Sequence, residues 1–161
     1  MYVRPTLEYN TSIWNPNYIK DINCIENVQR RFTKRLCQKN NIKFNSYTER
    51  LQLLNLETLE SRRLQRDVIL MFKIYHNLID VNFQEFFSAS ISSSNYNLRG
   101  NSFRLHLPKH SGSTVRHNFF TNRILNIWND LPDDLLNSPT LTIFKFKLKQ
   151  LDLTRFLTSF S

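Results

Sequence analysis

The chain has 161 residues, a formal net charge of +9, 40% hydrophobic and 13% aromatic residues, and two glycines. The aromatic content excludes a disordered tail, which lacks the apolar surface to offset chain entropy, and Gly100 and Gly112 alone cannot write a glycine-rich phosphate loop. Length implies one domain, or one domain with an appended piece, burying roughly 70% of its unfolded surface. The basic balance points to an anionic partner, most often nucleic acid.

Met1 to Lys20 carries Pro5 and Pro16 among Tyr2, Tyr9, Trp14 and Tyr18. It reads as extended or irregular, too apolar for a free tail, and as cut from something larger. Asp21, as N-cap, opens a first helix on which Ile22, Ile25, Val28, Phe32 and Leu36 form the apolar stripe and Arg35 sits in the last turn. Its other face holds Arg30, Arg31, Lys34 and Arg35. These form like-charge pairs four residues apart, which repel unless an anion lies across them.

Ser46 with Glu49 three residues on has capping-box spacing and opens a short second helix ending in Leu51, Leu53, Leu54 and Leu56. The longest helix is expected from about Leu59 to Ile79. Leu64, Val68, Met71, Phe72, Tyr75, Leu78 and Ile79 lie on its apolar face, and Arg62, Arg63 and Arg66 cluster at its start. Residues 88–97 are half serine and read as a linker, dividing an N-terminal helical block (1–87) from a basic C-terminal block (98–161). Beyond it, Phe103, Leu105 and Leu107 alternate with Arg104 and His106 as a short strand ended by Pro108. Thr114 to Leu131 returns to helical spacing through Val115, Phe119, Ile124, Ile127 and Trp128. Ser138-Pro139 opens a last helix with Leu141, Phe144, Leu148 and Leu151 inward and Lys145, Lys147 and Lys149 mostly outward. The expected fold is mainly α: about five helices in a small bundle, with one short strand or hairpin after the linker.

Cys24, in an apolar stretch, reads as a small buried side chain. With only Cys37 beside it and no metal-ligand spacing, neither a disulfide framework nor a zinc site is written here. The expected compartment is reducing and intracellular, nuclear or cytoplasmic; no apolar run is long enough to span a membrane. Charge is uneven: residues 1–50 hold nine basic and four acidic side chains (+5), 51–90 four and five (−1), and 91–161 nine and four (+5). After the linker, Arg99, Arg104, Lys109, His110, Arg116 and Arg123 make a diffuse basic set able to contact a sugar–phosphate backbone. Tyr9, Phe32, Trp14 and Trp128 sit among apolar neighbours and read as core rather than base-stacking residues.

The strings YVRPTLEYNTSIWNP, ENVQRRFTKRL, YTERLQLLNLETLESRR and DVILMFKIYH, followed by LRGNSFRLHLPK, VRHNFFTNRILNIWNDLP and FKFKLKQLD, resemble the C-terminal region of jockey-type non-LTR retrotransposon reverse transcriptases, downstream of the polymerase palm. The resemblance covers nearly the whole chain. It implies a segment that helps hold RNA or DNA beside the polymerase, with Arg30, Arg31, Lys34, Arg35, Arg62 and Arg63 at matching positions. The palm's metal-holding Asp strand and aromatic-x-Asp-Asp turn are missing, and Leu131-Pro132-Asp133-Asp134 is no substitute. The expectation is therefore a catalytically inactive fragment with no cofactor, metal, small-molecule substrate or membrane. Its partners would be a nucleic-acid backbone and a polymerase core absent from this chain. On that reading the N-terminal aromatic segment packs on the first helix and leaves an apolar patch near Met1 to Trp14. The alternative is a helical protein-interaction module or a retroelement remnant without a role.

Overall fold

The computed structural model describes residues 3–89, 104–106 and 119–158. The protein is mainly helical, with eight helices among the described residues, five of them seven residues or longer. In chain order they are α1 (Val3–Leu7), α2 (Ile19–Lys39), α3 (Tyr47–Leu53), α4 (Leu59–Tyr75), α5 (Phe83–Phe86), α6 (Phe120–Asn129), α7 (Asp133–Leu136) and α8 (Leu141–Gln150). Two short strands lie between α5 and α6: β1 (Ser88–Ala89) and β2 (Leu105–His106). A 3-10 turn, Thr154–Phe156, follows α8. The chain folds as two compact units: Met1–Thr11, Asn15–Leu64 and Leu153–Ser161 in one, Ser12–Trp14 and Gln65–Asp152 in the other.

The first unit is organised around an inner face of α2 that is mostly polar. Ile22, Glu26, Gln29, Thr33 and Cys37 are buried at intervals of three or four residues, one continuous helical face. The stripe expected from hydropathy is rotated away from it: Val28 and Leu36 are exposed, and Ile25 and Phe32 only half-buried. Cys24 is likewise exposed, whereas Cys37 is the buried cysteine. The reason is hydrogen bonding, which a hydropathy stripe does not register. Glu26 accepts from the Tyr47 hydroxyl and from the Leu59 amide at 2.8 Å. Gln29 donates to the Tyr47 oxygen at 3.1 Å and to the Glu57 carbonyl at 2.9 Å. Thr33 accepts from Arg50 Nε at 3.0 Å, and Arg50 Nη2 reaches the Arg30 carbonyl at 3.3 Å. The buried side chains of Glu26, Gln29 and Thr33 thereby each find a partner, as burial demands.

Three helix ends in this chain are made by asparagine. At the C-terminus of α2, Asn41 has φ 54°. Its amide donates to Gln38 O (3.2 Å) and that of Ile42 to Cys37 O (2.9 Å). Asn55 (φ 49°) ends α3 the same way, with Asn55 N on Gln52 O at 3.0 Å and Leu56 N on Leu51 O at 2.8 Å. Asn77 (φ 52°) ends α4, with Asn77 N on Ile74 O at 3.2 Å and Leu78 N on Lys73 O at 2.8 Å. These are three Schellman caps in which Asn takes the left-handed position usually filled by glycine. The third corrects the expected length of α4, which stops at Tyr75 rather than Ile79.

Starts also shift. α2 begins at Ile19 with Tyr18 as its N-cap, so Asp21 stands inside the first turn, and Lys39 rather than Arg35 occupies the last. α8 is capped by Thr140, whose hydroxyl accepts from Ile143 N at 3.3 Å, while Ser138 is buried and bonds to Leu135 O. α3 follows its sequence: the Ser46 hydroxyl accepts from Glu49 N at 3.0 Å, and the Glu49 carboxylate answers at Asn45 N, 2.7 Å.

The second unit is apolar at its centre. Val68, Met71, Phe72 and Ile74 of α4 are buried with Ile124, Trp128, Phe144 and Leu148 of α6 and α8. Phe72 stacks on Phe144 with ring centroids 4.0 Å apart, and Tyr75 meets Trp128 at 5.5 Å. β1 and β2 pair antiparallel, Ser88 with His106 and Ala89 with Leu105. The Asn129 side chain closes the other edge of β2, its Oδ1 accepting from Leu105 N at 2.9 Å and its Nδ2 donating to Leu105 O at 3.0 Å. β1 takes the first two residues of the serine-rich stretch; the rest of that stretch, with Phe103, Leu107, Val115 and the residues around them, lies outside the described residues.

Candidate nucleic-acid interface

Because Glu26, Gln29 and Thr33 fix which side of α2 faces inward, they also fix which side faces out. Arg30, Arg31, Lys34 and Arg35 are all exposed on it. Residues four apart on a helix have Cβ atoms about 6 Å from each other, so Arg30 with Lys34, and Arg31 with Arg35, form two adjacent rungs of positive charge. Among the described residues, none of the four has a carboxylate within ion-pair distance. Arg30 alone is partly held: its guanidinium lies over the Tyr47 ring, 4.9 Å from the centroid, and Nη1 reaches Asn27 Oδ1 at 3.5 Å. The Tyr47 hydroxyl beneath it is pushed well above the usual phenol range, first by burial and then by its hydrogen bond to Glu26. It thus remains a neutral platform at physiological pH.

The other expected contacts divide differently. Arg62 pairs with the buried Glu8 carboxylate, and both side chains are largely covered. Arg63 is 2% exposed, with Nη2 donating to Leu7 O at 2.7 Å and Nη1 to Asn15 Oδ1 at 3.3 Å. Arg123 pairs with buried Asp67 at 2.7 Å and donates to Ser12 O at 3.1 Å. These three guanidiniums hold the N-terminal segment to the helices, and a phosphate would have to displace those bonds to reach them. Arg50, never singled out from the sequence, does the same work between α2 and α3 and stacks on Phe44 at 4.6 Å. Arg104 is exposed beside β2; Arg99, Arg116, Lys109 and His110 lie outside the described residues.

Of the aromatic residues read as core, Trp128 is fully buried, but Tyr9 is exposed and Trp14 is 44% exposed. Ile13 in the second unit, and Tyr18 and Ile19 in the first, are exposed too. The opening segment therefore presents apolar surface to solvent on both units. Asp133 and Asp134 occupy the first turn of α7, where Asp134 pairs with Lys147 at 2.7 Å. Among the described residues no three His, Cys, Asp or Glu side chains come together as a metal site, and no helix is long and apolar enough to cross a membrane.

What the sequence did not reveal is the sorting of arginines into structural and displayed sets. The partners of Arg62, Arg63 and Arg123 lie 48 to 111 residues away along the chain in the bonds that hold Asn15, Leu7, Asp67 and Ser12. Local charge spacing carries no trace of them.

No protein-family model matches the chain, and no solved structure matches it. Over 79 residues it is 28% identical to the uncharacterized Caenorhabditis elegans protein B0403.1. The match covers 49% of this chain and 38% of that protein, so the chain spans well under two thirds of the curated relative it resembles.

Proposed function

We propose that the protein binds the sugar–phosphate backbone of RNA or DNA through the outward face of α2, as a catalytically inactive C-terminal piece of a retroelement reverse transcriptase. The observation that carries the reading is the exposure of Arg30, Arg31, Lys34 and Arg35 without carboxylate partners among the described residues. Four like charges on two helical turns repel one another, and they become favourable only when an anion spans them. Their register is held from behind by the hydrogen bonds of Glu26, Gln29 and Thr33, so the face is presented by a rigid element. Contacts of this kind position a backbone without reading bases.

Filter binding to single- and double-stranded oligonucleotides over a salt series tests this. Each neutralised phosphate contributes about 0.7 to 0.9 to the slope of log affinity against log salt, so replacing all four cations with Gln lowers that slope by about 3. Unchanged affinity and slope in the Gln variant overturn the assignment. A second reading rests on Val28 and Leu36, exposed on the same helix beside half-buried Ile25 and Phe32. On that reading α2 is a docking helix for a protein. Salt-insensitive or absent oligonucleotide binding, together with concentration-dependent association lost on replacing Val28 and Leu36 with Gln, would favour it.

A further inference from the structure

An open groove of about 270 Å³ runs between α4 and α8 in the second unit. Ile69 lines it from α4; Thr142, Lys145, Phe146, Leu148 and Lys149 line it from α8. Thr142, Lys145, Phe146 and Lys149 are spaced three, four and seven residues from the first, one face of a helix extending about 10 Å. Phe146 is 63% exposed there, although Phe144 on the opposite side of the same helix is buried, and Leu148, which lines the groove, is almost wholly covered. Lys147 is tied to the Asp134 carboxylate at 2.7 Å and to its carbonyl at 2.9 Å. Lys145 and Lys149, in contrast, have no carboxylate within ion-pair distance among the described residues.

The geometry points to a docking site for an acidic amphipathic helix of a partner protein. A half-buried aliphatic wall and an exposed phenyl ring flanked by two ammonium groups one turn apart complement a helix with Leu or Phe at i, i+3, i+4 and i+7 and Asp or Glu beside them. The aliphatic character of Ile69 and Leu148 selects this occupant over a single-stranded nucleic acid, whose bases seek aromatic faces or guanidinium planes in succession. The groove shares no residue with the α2 face, and the inference does not depend on what that face binds.

The test uses the full chain and a fluorescein-labelled peptide of about fourteen residues, long enough to form helix on a surface, with Leu at the four anchor positions and Glu at the flanks. Its Lys-for-Glu counterpart and an oligothymidylate serve as competitors. The acidic peptide is expected to bind with a Kd of tens to hundreds of micromolar, as small transient interfaces do. Phe146→Ala, and separately the pair Lys145→Glu and Lys149→Glu, should each weaken it at least about tenfold with the helical circular dichroism unchanged. The α2 Gln variant should bind it as the parent does. The assignment is overturned if the acidic peptide binds no tighter than its basic counterpart or fails to bind up to millimolar concentration. It is also overturned if Phe146→Ala leaves its affinity unchanged, or if oligothymidylate displaces it and itself loses affinity with Phe146→Ala.

Discussion

At the centre of the first unit stand Glu26, Gln29, Thr33 and Arg50; at the centre of the second stand Phe72, Phe144 and Trp128. The two solutions differ in what they specify. Aromatic packing is strong but tolerant, since a ring can slide or tilt among neighbours with little change in buried area. A hydrogen-bonded polar core has directional bonds, and a rotation of α2 by one residue would break those of Glu26, Gln29 and Thr33 together. The unit that displays the cationic face is thus the one whose interior fixes helix rotation most tightly. The unit with the apolar interior packs its helices mainly by area, with a few polar contacts such as the Arg123–Asp67 pair and the Asn129 bonds to Leu105.

The largest expected effect lies on the aromatic side of the comparison. Trp128→Ala removes a fully buried indole and should cost about 3–5 kcal/mol in urea denaturation followed by circular dichroism. Trp128→Phe should recover much of that loss, because area rather than direction is what the site demands. If Trp128→Phe were as damaging as Trp128→Ala, the tolerance ascribed to this core would be wrong.

On the polar side, Glu26→Gln keeps shape and removes charge. It weakens the acceptor for the Tyr47 hydroxyl and the Leu59 amide, and should cost about 1.5–3 kcal/mol, the range for hydrogen bonds to charged groups. A loss under about 0.5 kcal/mol would mean that ordinary neutral bonds suffice there. The same network has a signature in pH. The Tyr47 pKa is raised in the folded chain, chiefly by burial, so its contribution is complete below about pH 10, the unfolded phenol value, and is lost as pH rises above it. Unfolding midpoints measured from pH 8 to 11.5 should fall at the alkaline end, and less steeply in Tyr47→Phe. An identical alkaline fall in that variant would remove Tyr47 as the cause.

These contrasts also explain what was legible in the sequence. The mainly helical fold, the Ser46–Glu49 cap and the inward Phe144 and Leu148 of α8 all follow from local spacing, and local spacing decides them. The inner face of α2 was hidden because its polar residues are favourable only through Tyr47, Arg50 and Leu59, which belong to other helices. Hydropathy therefore ranked Val28 and Leu36 above Glu26 and Gln29, and the stripe came out rotated. The exposed quartet on α2 was legible because repulsive pairs at i, i+4 need an explanation outside the helix. For Arg62, Arg63 and Arg123 the explanation was a distant carboxylate, carbonyl or amide of the same chain.

The smallest expected effect sharpens the boundary between local and tertiary control. With glycine nearly absent, α2, α3 and α4 each end on an Asn at positive φ. Asn reaches this conformation because its short amide offsets part of the clash between Cβ and carbonyl that other residues suffer, whereas Ala has no such compensation. Asn77→Ala should therefore cost about 1 kcal/mol, while Asn77→Gly should change stability by only a few tenths, the relaxed turn offsetting the extra freedom of the unfolded chain. Thermal unfolding of both variants, compared with the parent, measures the difference. If Ala and Gly behave alike, the left-handed turn after Tyr75 is imposed by the packing around it rather than by Asn77. The end of α4 would then belong with the features set by distant partners, as the inner face of α2 does.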